Sequence, residues 1–501
     1  MPDYDMVVIG AGNGGLTAAL SLVKSGLKVL LLERHNIPGG CATSFIRGRF
    51  EFEVALHQLS GMGSLERPGP LRSLLGRLGV LDRLTFVEMQ NLYRIFLPGS
   101  LDITLKADRQ EAVRSLKERF PQEKEGIDAF FNLVYDFCMQ MIGAVFMRDP
   151  EASREKYPLY FGYALKDSQG ILDKYLKDPL LQAALTPYWG YLGLPPSMLA
   201  FMDFAMVLFA YLEFKPFHLK GGSQALSNAL ADEFIRLGGE VRYNCGAQRI
   251  IVSDKRVKAV VTEDGNEITT GYVVSNAGPI TTLVELVGPE HCPPEQLKAL
   301  KARSVGLSAF TVYMGLDCEP SDLGLTVTTN FVSMDTDNDR TYARQRTLER
   351  PETALLTCYD VDDPEFSPDG CCQLALVTLQ YGEPWLSVPP AQYFETKCRY
   401  AAGMLDLAEK LIPGYRNHIE ELEVASPLTH MRYLGHLGGS IYGSEKYVRE
   451  SPLFISPRSL IGGLYFVGAW NGAGGFQPTL ESGSSVARAI LKEMKYIIPG
   501  G

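Results

Sequence analysis

Four glycines near the start of the chain have the spacing that lets a peptide backbone approach a diphosphate closely. They are Gly10, Gly12, Gly14 and Gly15, and the acid Glu33 stands about 20 residues further on. Backbone N–H groups at such a turn, beside a helix N-terminus, bind a pyrophosphate, and the acid accepts the hydroxyls of a ribose. These residue types therefore predict a dinucleotide-binding site.

The segments around these glycines have the pattern of a strand, a helix and a second strand. Residues 5–9 are an apolar run, residues 16–23 are small and apolar, and residues 28–32 form a second apolar run that ends at Glu33. Gly26 would stop the helix. A glycine turn alone would be weak evidence, but strand, turn, helix and acid occur together in the order that the nucleotide fingerprint requires.

A second glycine-rich loop lies near the other end of the chain. Gly468 and Gly475 follow the apolar run 462–467 and precede a helical pattern. We expect Ser482 near the first turn of that helix, where unpaired N–H groups would face an electron-rich ring or a phosphate. Two glycine loops far apart in one chain match a long cofactor held at both ends, which favours FAD over NAD.

A third glycine turn lies at residues 37–49 and contains Gly40, Thr43 and Ser44. We interpret it as a turn and the start of a helix whose hydroxyls reach phosphate or ribose. The sequence has no Ser-His-Asp arrangement, His-Glu-x-x-His pattern or Cys-x-x-Cys pair. Neither a hydrolase triad nor a metal site is predicted.

Composition restricts the function further. The chain has 501 residues, 46% hydrophobic and 21% charged, with a formal net charge of −10. That charge makes nucleic acid an unexpected partner. The nine cysteines form no Cys-x-x-Cys pair, so we interpret them as reduced thiols in a reducing compartment. The N-terminal residues do not have the pattern of a secretory leader. We expect a cytoplasmic protein, with association to a membrane surface as an open alternative.

The elements that must position these residues predict an α/β fold. We expect a Rossmann-type FAD-binding domain with a discontinuous α+β substrate domain. Helical spacing is found at residues 71–81, 107–120, 130–147, 221–239 and 392–411, and strand patterns at residues 240–243, 249–252, 257–262, 267–270, 309–316, 353–359 and 373–379. We assign residues 1–64, 219–306 and 452–501 to the FAD-binding domain, and residues 65–218 and 307–451 to the substrate domain, with the part at 65–218 mainly helical.

One long apolar stretch, residues 189–214, has two interpretations. It is interrupted by Pro195, Pro196, Asp203 and Glu213, so it does not reach the length of a spanning helix. It is either a core helix under the substrate cavity or a lipophilic entrance that rests on a bilayer surface. Its many Met and aromatic residues would also suit a long apolar ligand.

Taken together, these segments resemble the phytoene desaturase, carotenoid isomerase and retinol saturase group of FAD-dependent oxidoreductases, within the amine-oxidase superfamily. The resemblance covers nearly the whole chain. Beyond the three glycine turns, it rests on residues 221–226, 276–279, 363–370, 426–429 and 438–443. This sequence departs from the group's pattern at Phe52-Glu53-Val54-Ala55, where Phe-Asp-x-Gly is usual, and in the loop 471–478.

The resemblance implies a set of cofactor-binding residues. Those implied for the ADP half and the phosphates are Gly10, Gly12, Gly14, Gly15, Glu33, Arg34, Gly40, Thr43, Ser44, Ala247 and Asn276, and those for the flavin end are Gly468, Gly475, Phe476, Gln477 and Ser482. It also places His57 on the substrate side of the flavin. Together with Tyr442, His57 is our catalytic candidate, whereas Trp470 is expected at the flavin face and Arg432, Tyr433 and His436 have no assigned role.

The implied chemistry moves a hydride between the flavin and a C–C bond of a hydrophobic polyene, isoprenoid or retinoid-like substrate. Three alternatives stay open: a non-redox isomerase or hydratase, an amine oxidase, and a prenyl-binding escort protein like the GDP-dissociation inhibitors. The escort function predicts loss of the flavin-holding features, yet both glycine loops and Glu33 are intact. No second nucleotide fingerprint is present, so the electron partner is expected to be oxygen, a quinone or an external carrier.

Overall fold

The structure is a computed structural model that describes residues 2–445, 447, 456–472 and 474–494. The strands in chain order are β1 (Met6–Ile9), β2 (Val29–Leu32), β3 (Ser44–Arg47), β4 (Phe50–Glu53), β5 (Phe86–Glu88), β6 (Asn91–Leu97), β7 (Leu101–Lys106), β8 (Phe217–Leu219), β9 (Glu240–Arg242), β10 (Ala247–Ser253), β11 (Arg256–Thr262), β12 (Glu267–Thr269), β13 (Val273–Ser275), β14 (Ser308–Leu316), β15 (Thr329–Ser333), β16 (Thr353–Cys358), β17 (Cys372–Gln380), β18 (Ile419–Ala425) and β19 (Leu464–Phe466).

The α-helices are α1 (Asn13–Val23), α2 (Pro70–Leu78), α3 (Arg109–Arg119), α4 (Lys124–Met141), α5 (Pro158–Tyr163), α6 (Ser168–Tyr175), α7 (Pro179–Leu185), α8 (Phe201–Glu213), α9 (Gly222–Arg236), α10 (Pro294–Lys301), α11 (Asn338–Arg344), α12 (Glu383–Leu386), α13 (Pro390–Leu411), α14 (Pro427–Leu434) and α15 (Phe476–Glu493).

A parallel sheet with the strand order β19-β13-β1-β2-β9 gathers segments from both ends and the middle of the chain. Val7 of β1 is paired with Leu30 of β2 and with Val273 of β13. The strands β1, β2, β13 and β19 are fully buried, as expected for a parallel sheet that is covered on both faces. Because the C-terminal ends of parallel strands meet at one edge, the loops that follow β1, β2, β13 and β19 lie together.

Close helix packing at this sheet depends on small residues. An added Cβ at Gly15 of α1 would lie 1.9 Å from the carbonyl oxygen of Gly10, and one at Gly483 of α15 would lie 2.1 Å from Thr17 Oγ1. Neither position has room for a side chain. Gly15 and Gly483 therefore let α1 pack directly against the glycine turn and against α15.

A second, mixed sheet has the order β18-β14-β17-β16-β15-β6-β7. The strand patterns predicted at residues 309–316, 353–359 and 373–379 correspond to β14, β16 and β17. Residues 91–106, within a segment expected to be mainly helical, instead form β6 and β7, and β6 pairs in parallel with β15. The burial of β6 alternates along much of its length, which suits a strand with one face on the core.

The apolar stretch at residues 189–214 is core. In α8, Phe201, Phe204 and Leu208 are buried, and they belong to a cluster that also includes Phe137 of α4. The interpretation of this stretch as a lipid-facing surface is therefore wrong. By length and composition, the helical stretch Pro121–Phe146 could cross a membrane, and 39% of its apolar window is buried inside the protein.

Residues 37–49 do not begin a helix, which corrects our expectation. They form a turn followed by the hairpin of β3 and β4, in which Phe45 pairs with Phe52. Gly48 has a φ of 52°, a conformation that suits the tight connection between the two strands. The rings of Phe45, Phe52 and Tyr313 pack in tilted and edge-on arrangements with centroids 5.0–6.0 Å apart, and this aromatic packing stabilises the hairpin.

Candidate cofactor and substrate site

A cavity of about 1210 Å³ joins the two sheets. At one end it is lined by the loops that follow the strands of the parallel sheet, including Gly10, Glu33 and Gly468. At the other end it is lined by residues of the mixed sheet and by the segment around Tyr191. The site therefore combines a loop-lined end with a strand-lined end in one continuous space.

The N-terminus of α1 opens into this cavity. Its N-cap residue, Gly12, is extended and has no side-chain cap, so the first N–H groups of the helix remain available. An added Cβ at Gly12 would lie 2.6 Å from Asn276 Nδ2, and one at Gly14 would lie 2.8 Å from the backbone nitrogen of Gly468. Asn276, which follows β13, and Gly468, which follows β19, therefore lie in direct contact with the glycine turn after β1.

Glu33 is buried at the end of β2 and is fixed by backbone donors. Its Oε2 accepts a hydrogen bond from the N–H of Ala11 at 2.7 Å, and its Oε1 accepts one from the N–H of His35 at 2.9 Å. Each carboxylate oxygen has a second lone pair that a ribose hydroxyl could use. Glu33 therefore stands at the glycine loop in the position expected of the ribose-binding acid.

Arg34 and His35 bind the end of α14, which forms another wall of the cavity. Arg34 Nη2 donates to the carbonyl oxygen of Tyr433 at 2.5 Å, and His35 Nε2 lies 2.6 Å from the same oxygen. Helix α14 also brings Arg432 and Tyr433 to the cavity lining, and His436 follows it. The ring of His436 packs edge-on against Trp470 at 5.6 Å.

The second glycine loop places Ser482 differently from our expectation. Helix α15 begins at Phe476, so Ser482 lies in its second turn and does not face the helix N-terminus. Its Oγ accepts from the N–H of Gly468 at 3.0 Å and donates to the carbonyl oxygen of Thr479 at 2.8 Å. Ser482 thus holds the loop in place, while the N-cap, Gly475, has no side-chain cap and lines the cavity.

Most of the remaining predicted residues line the cavity, but three do not. Gly40, Thr43, Ser44, Ala247 and Phe476 are in the lining, whereas Gly15, Gln477 and Ser482 are not. Gln477 packs beside Gly61 and donates to Glu481 Oε1 at 3.0 Å. The Thr43 hydroxyl donates to Gln224 Oε1 at 2.6 Å, so this oxygen already has a protein partner.

His57 lines the cavity and is held by residues of β16 and of the turn that follows it. Its Nδ1 lies 3.1 Å from Thr357 Oγ1 and 3.2 Å from the hydroxyl of Tyr359. Burial lowers the pKa of His57 to about 4. The imidazole is therefore neutral at neutral pH. Tyr442, also in the lining, keeps its proton because burial raises its pKa.

Sequence reasoning missed a cluster of tyrosines around Gln58. Gln58 Oε1 accepts from the hydroxyls of Tyr188 at 3.2 Å and Tyr191 at 3.4 Å, and its carbonyl oxygen accepts from Tyr211 at 3.2 Å. Gln58, Tyr191 and Tyr211 line the cavity. One feature of the sequence does indicate this cluster. Tyrosine recurs within and next to the apolar stretch 189–214, and its hydroxyls are polar atoms in an otherwise apolar segment.

The residues at the loop-lined end fit a dinucleotide. Two uncapped helix N-termini, those of α1 and α15, open into one cavity, and glycines bound the space between them. Trp470 Nε1, which is buried in the lining, has no hydrogen-bond partner among the described residues. These features match the donors and close backbone approach that a cofactor with a diphosphate and an aromatic ring system needs.

Comparisons with known proteins agree with this geometry. Chloroplastic prolycopene isomerase of Arabidopsis thaliana is 26% identical over 487 residues, which cover 93% of this chain and 78% of that protein. All-trans-retinol 13,14-reductase of Homo sapiens is 26% identical over 529 residues, covering 98% and 86%. A solved oxidoreductase from Methanosarcina mazei has a TM-score of 0.65 at 18% identity, covering 96% of this chain and 99% of that one.

These relatives confirm the resemblance to the carotenoid isomerase and retinol saturase group. The solved structure confirms the α/β fold. The match to a flavin-containing family confirms FAD as the cofactor. The sequence model of the family of flavin-containing amine oxidoreductases matches residues 14–491, so the chain belongs to that family.

Proposed function

We propose that the chain moves a hydride between FAD and a C–C bond of a hydrophobic polyene, isoprenoid or retinoid-like substrate, as a desaturase or a saturase. The observation that carries this proposal is the continuity of the cavity from the two glycine loops to an apolar wall. A substrate lying along that wall would reach the loop-lined end without crossing solvent. Relatives named for prolycopene and retinol support this substrate class.

The apolar wall belongs to the mixed sheet and the helices packed on it. Its residues include Ile95, Leu97, Phe331, Val332, Leu355 and Leu379. Such a surface binds a hydrocarbon chain through the burial of apolar area and orients it without charged contacts.

For the cofactor, we assign the ADP half to Gly12 after β1, Glu33 after β2 and Asn276 after β13. We assign the flavin half to the loop that contains Gly468 and Gly475. The flavin supplies the redox chemistry when bound, and the protein must bind, orient and exclude water. We also propose the domain division given above, in which residues 1–64, 219–306 and 452–501 hold the cofactor and residues 65–218 and 307–451 hold the substrate.

His57 and Tyr442 are the groups that we assign to the reaction. Saturation of a C=C bond needs a proton in addition to a hydride, and the O–H of Tyr442 carries a proton at neutral pH. Desaturation needs an acceptor for that proton. The neutral imidazole of His57 can be that acceptor through Nε2 in the tautomer whose Nδ1–H donates to the hydroxyl of Thr357 or Tyr359.

A non-redox isomerase is the second candidate, because one relative is a prolycopene isomerase. An amine oxidase is less well supported. Asp335, a carboxylate at the strand-lined end, forms an ion pair with Arg340 at 2.9 Å. It is therefore not a free counter-ion for the ammonium group of an amine substrate. The escort function predicts loss of the flavin-holding features. It is disfavoured because the uncapped N-termini of α1 and α15 and the glycines around them are present at the cavity.

Contact with a membrane surface is a further part of the proposal, although through a different surface from residues 189–214. Large apolar side chains are exposed on the end of α4 and on the segments that follow it: Met139, Phe146, Met147, Phe161 and Leu165. Exposed apolar groups of this size, all within residues 139–165, are typical of a surface that rests on lipid.

The test is to mix the FAD-loaded protein anaerobically with all-trans-retinol and with cis and trans carotenes, while flavin absorbance and products are followed. Bleaching of oxidised flavin, or reoxidation of reduced flavin, with a product that differs by two hydrogens supports the proposal. A geometric isomer without net flavin turnover would indicate the isomerase. No reaction with these compounds, together with turnover of an amine, would overturn the proposal.

A further inference from the structure

We propose that Tyr191, Tyr211 and Phe331 form an aromatic wall that stabilises the positive charge left on the substrate's apolar chain when a hydride departs. The inference rests on the proposed function, because it concerns the carbon whose hydride moves to FAD. It gives these three rings a role in the reaction itself, in addition to the burial of apolar surface.

The three rings of the aromatic wall line the cavity and pack on a buried ring behind them. The ring centroid of Tyr191 lies 6.2 Å from those of both Tyr211 and Phe331. Tyr188, which is 2% exposed, stacks on Tyr191 at 5.2 Å and on Tyr211 at 4.7 Å, with 26° between the ring planes in both pairs. Because Tyr188 covers one face of each of these two rings, the opposite face of each is left for the cavity.

The hydroxyls of the tyrosines all donate to oxygens of Gln58. Those of Tyr188 and Tyr191 donate to its Oε1 at 3.2 and 3.4 Å, and that of Tyr211 donates to its carbonyl oxygen at 3.2 Å. The amide nitrogen of Gln58 donates to the carbonyl oxygen of Leu92, which keeps the amide oxygen towards the tyrosines. A phenol that donates its proton has more electron density on its ring, and the negative face of an aromatic ring attracts a cation.

The aromatic wall lies close to both groups that we assign to the reaction. Gln58, which binds the hydroxyls, directly follows His57 in the chain, and both residues line the cavity. An added Cβ at Gly193, two residues after Tyr191, would lie 3.8 Å from Tyr442 Cδ2. A substrate chain that reaches His57 and Tyr442 therefore lies near the rings.

The proposed reaction creates a positive charge at this place. In desaturation, one C–H bond breaks and its electron pair leaves as a hydride to FAD, so the carbon becomes positively charged. The neighbouring C–H bond then loses its proton to His57, and its electron pair forms the new double bond. In saturation, a proton from Tyr442 adds to the double bond first, and a hydride from reduced FAD neutralises the charged carbon. Stabilising that carbon lowers the barrier in both directions.

The carboxylates at the strand-lined end do not offer this charge a free partner. Asp335 is paired with Arg340 at 2.9 Å, and Glu423 is paired with Arg47 at 2.8 Å. The other carboxylates of the lining belong to the segments that we assign to the cofactor, and they are Glu33, Glu263 and Glu285. Among the residues that the structure describes, the aromatic faces are therefore the groups at this end that suit a cation on an apolar chain.

The experiment measures binding of two probes with the same dodecyl chain, dodecyltrimethylammonium and 1-dodecanol, to the FAD-loaded, full-length protein by isothermal titration calorimetry. The ratio of the two affinities reports the preference for a cationic over a neutral head group. In Tyr191→Leu and Phe331→Leu we expect this ratio to fall about threefold to tenfold, because an aromatic face is lost. Tyr191→Phe keeps the ring and should keep most of the preference. Phe394→Leu, at a ring that is 73% exposed and outside the cavity lining, is the matched control and should leave the ratio unchanged.

An unchanged ratio in Tyr191→Leu and Phe331→Leu would overturn the inference. A fall in Tyr191→Phe as large as that in Tyr191→Leu would overturn it as well, because the ring would then act only through the packing that its hydroxyl maintains. Phe331→Leu decides the matter if Tyr191→Leu does not fold. Flavin turnover with retinol and the carotenes tests the proposed function separately. A ring-dependent cation preference without any such turnover would overturn the proposed function and leave the aromatic wall standing as a cation site.

Discussion

Glu53 and Ser223 are joined twice, although 170 residues separate them in the chain: the Glu53 carboxylate accepts from the Ser223 N–H at 2.6 Å and from its hydroxyl at 2.7 Å. The same carboxylate accepts from the N–H groups of Ala55 and Leu56. It thereby caps the N-terminus of α9 and fixes the turn that leads to His57. Glu53 is part of the departure from the Phe-Asp-x-Gly pattern, and this geometry gives it a positioning role.

We expect Glu53→Gln to displace His57 without removing the cofactor. An amide offers one oxygen to four donors, so N–H groups of the turn lose their partners, and stability should fall by about 1–3 kcal/mol. Thermal unfolding and the rate of flavin turnover are the measurements. The control is Glu118→Gln, at an exposed position of α3, which should change neither. An unchanged rate in Glu53→Gln would show that the turn holds His57 without this carboxylate.

The glycine loops could be predicted because their signal is local. A strand, a glycine turn and an acid are read within about 30 residues, and the structure places Gly12, Glu33, Asn276 and Gly468 together at one sheet edge. The hairpin at residues 44–53 and the strand β6 could not be predicted in the same way. They exist because of distant partners, Tyr313 for the hairpin and β15 for β6.

The substrate end of the site was less visible for the same reason. Gln58 is a single polar residue in an unremarkable part of the sequence. Its place in the site comes from the tyrosines that the fold brings next to it. The position of Ser482 was misjudged because a Ser-Gly-Ser segment looks like a helix start, whereas α15 begins six residues earlier at Phe476.

Gly12→Val is expected to abolish FAD binding. An added Cβ already lies 2.6 Å from Asn276 Nδ2, and a branched side chain would also fill the space before the helix N-terminus. The bound-flavin absorbance of the purified variant is the measurement. Gly162→Val is the control, because an added Cβ at this position of α5 meets no atom within 4 Å. Full flavin content in Gly12→Val would place the pyrophosphate elsewhere.

His57→Ala should lower the rate of flavin reduction or reoxidation by substrate while the bound-flavin spectrum stays largely intact. A group that acts only in the transition state changes turnover and not cofactor affinity. A decrease of about 10²-fold or more is expected for loss of a general acid or base. Stopped-flow absorbance measures it. Wild-type kinetics in this variant would assign His57 to structure and direct attention to Tyr442.

The contribution of His57 to the stability of the protein should fall as the pH is lowered from about 6.5 to about 4. In this window His57, whose pKa is lowered from 6.5 to about 4, stays neutral in the folded state but takes up a proton on unfolding. At this residue the unfolded state therefore binds more protons, and the contribution of His57 to stability rises with pH. His430, also buried, acts in the same direction. Urea unfolding across this range should show a smaller pH dependence in His57→Gln than in the wild type.

The last prediction separates a lipid-contacting surface from the core. Phe146→Ser and Met147→Ser, at side chains that are 61% and 77% exposed, should reduce flotation of the protein with liposomes and leave the melting temperature nearly unchanged. Phe201→Ser, in the buried helix α8, should do the opposite, because losing a buried phenylalanine costs about 3–5 kcal/mol. If the wild-type protein does not float, or if the Phe146 and Met147 variants float as well as the wild type, the exposed groups after α4 do not bind lipid and the site draws its substrate from solution or from another protein.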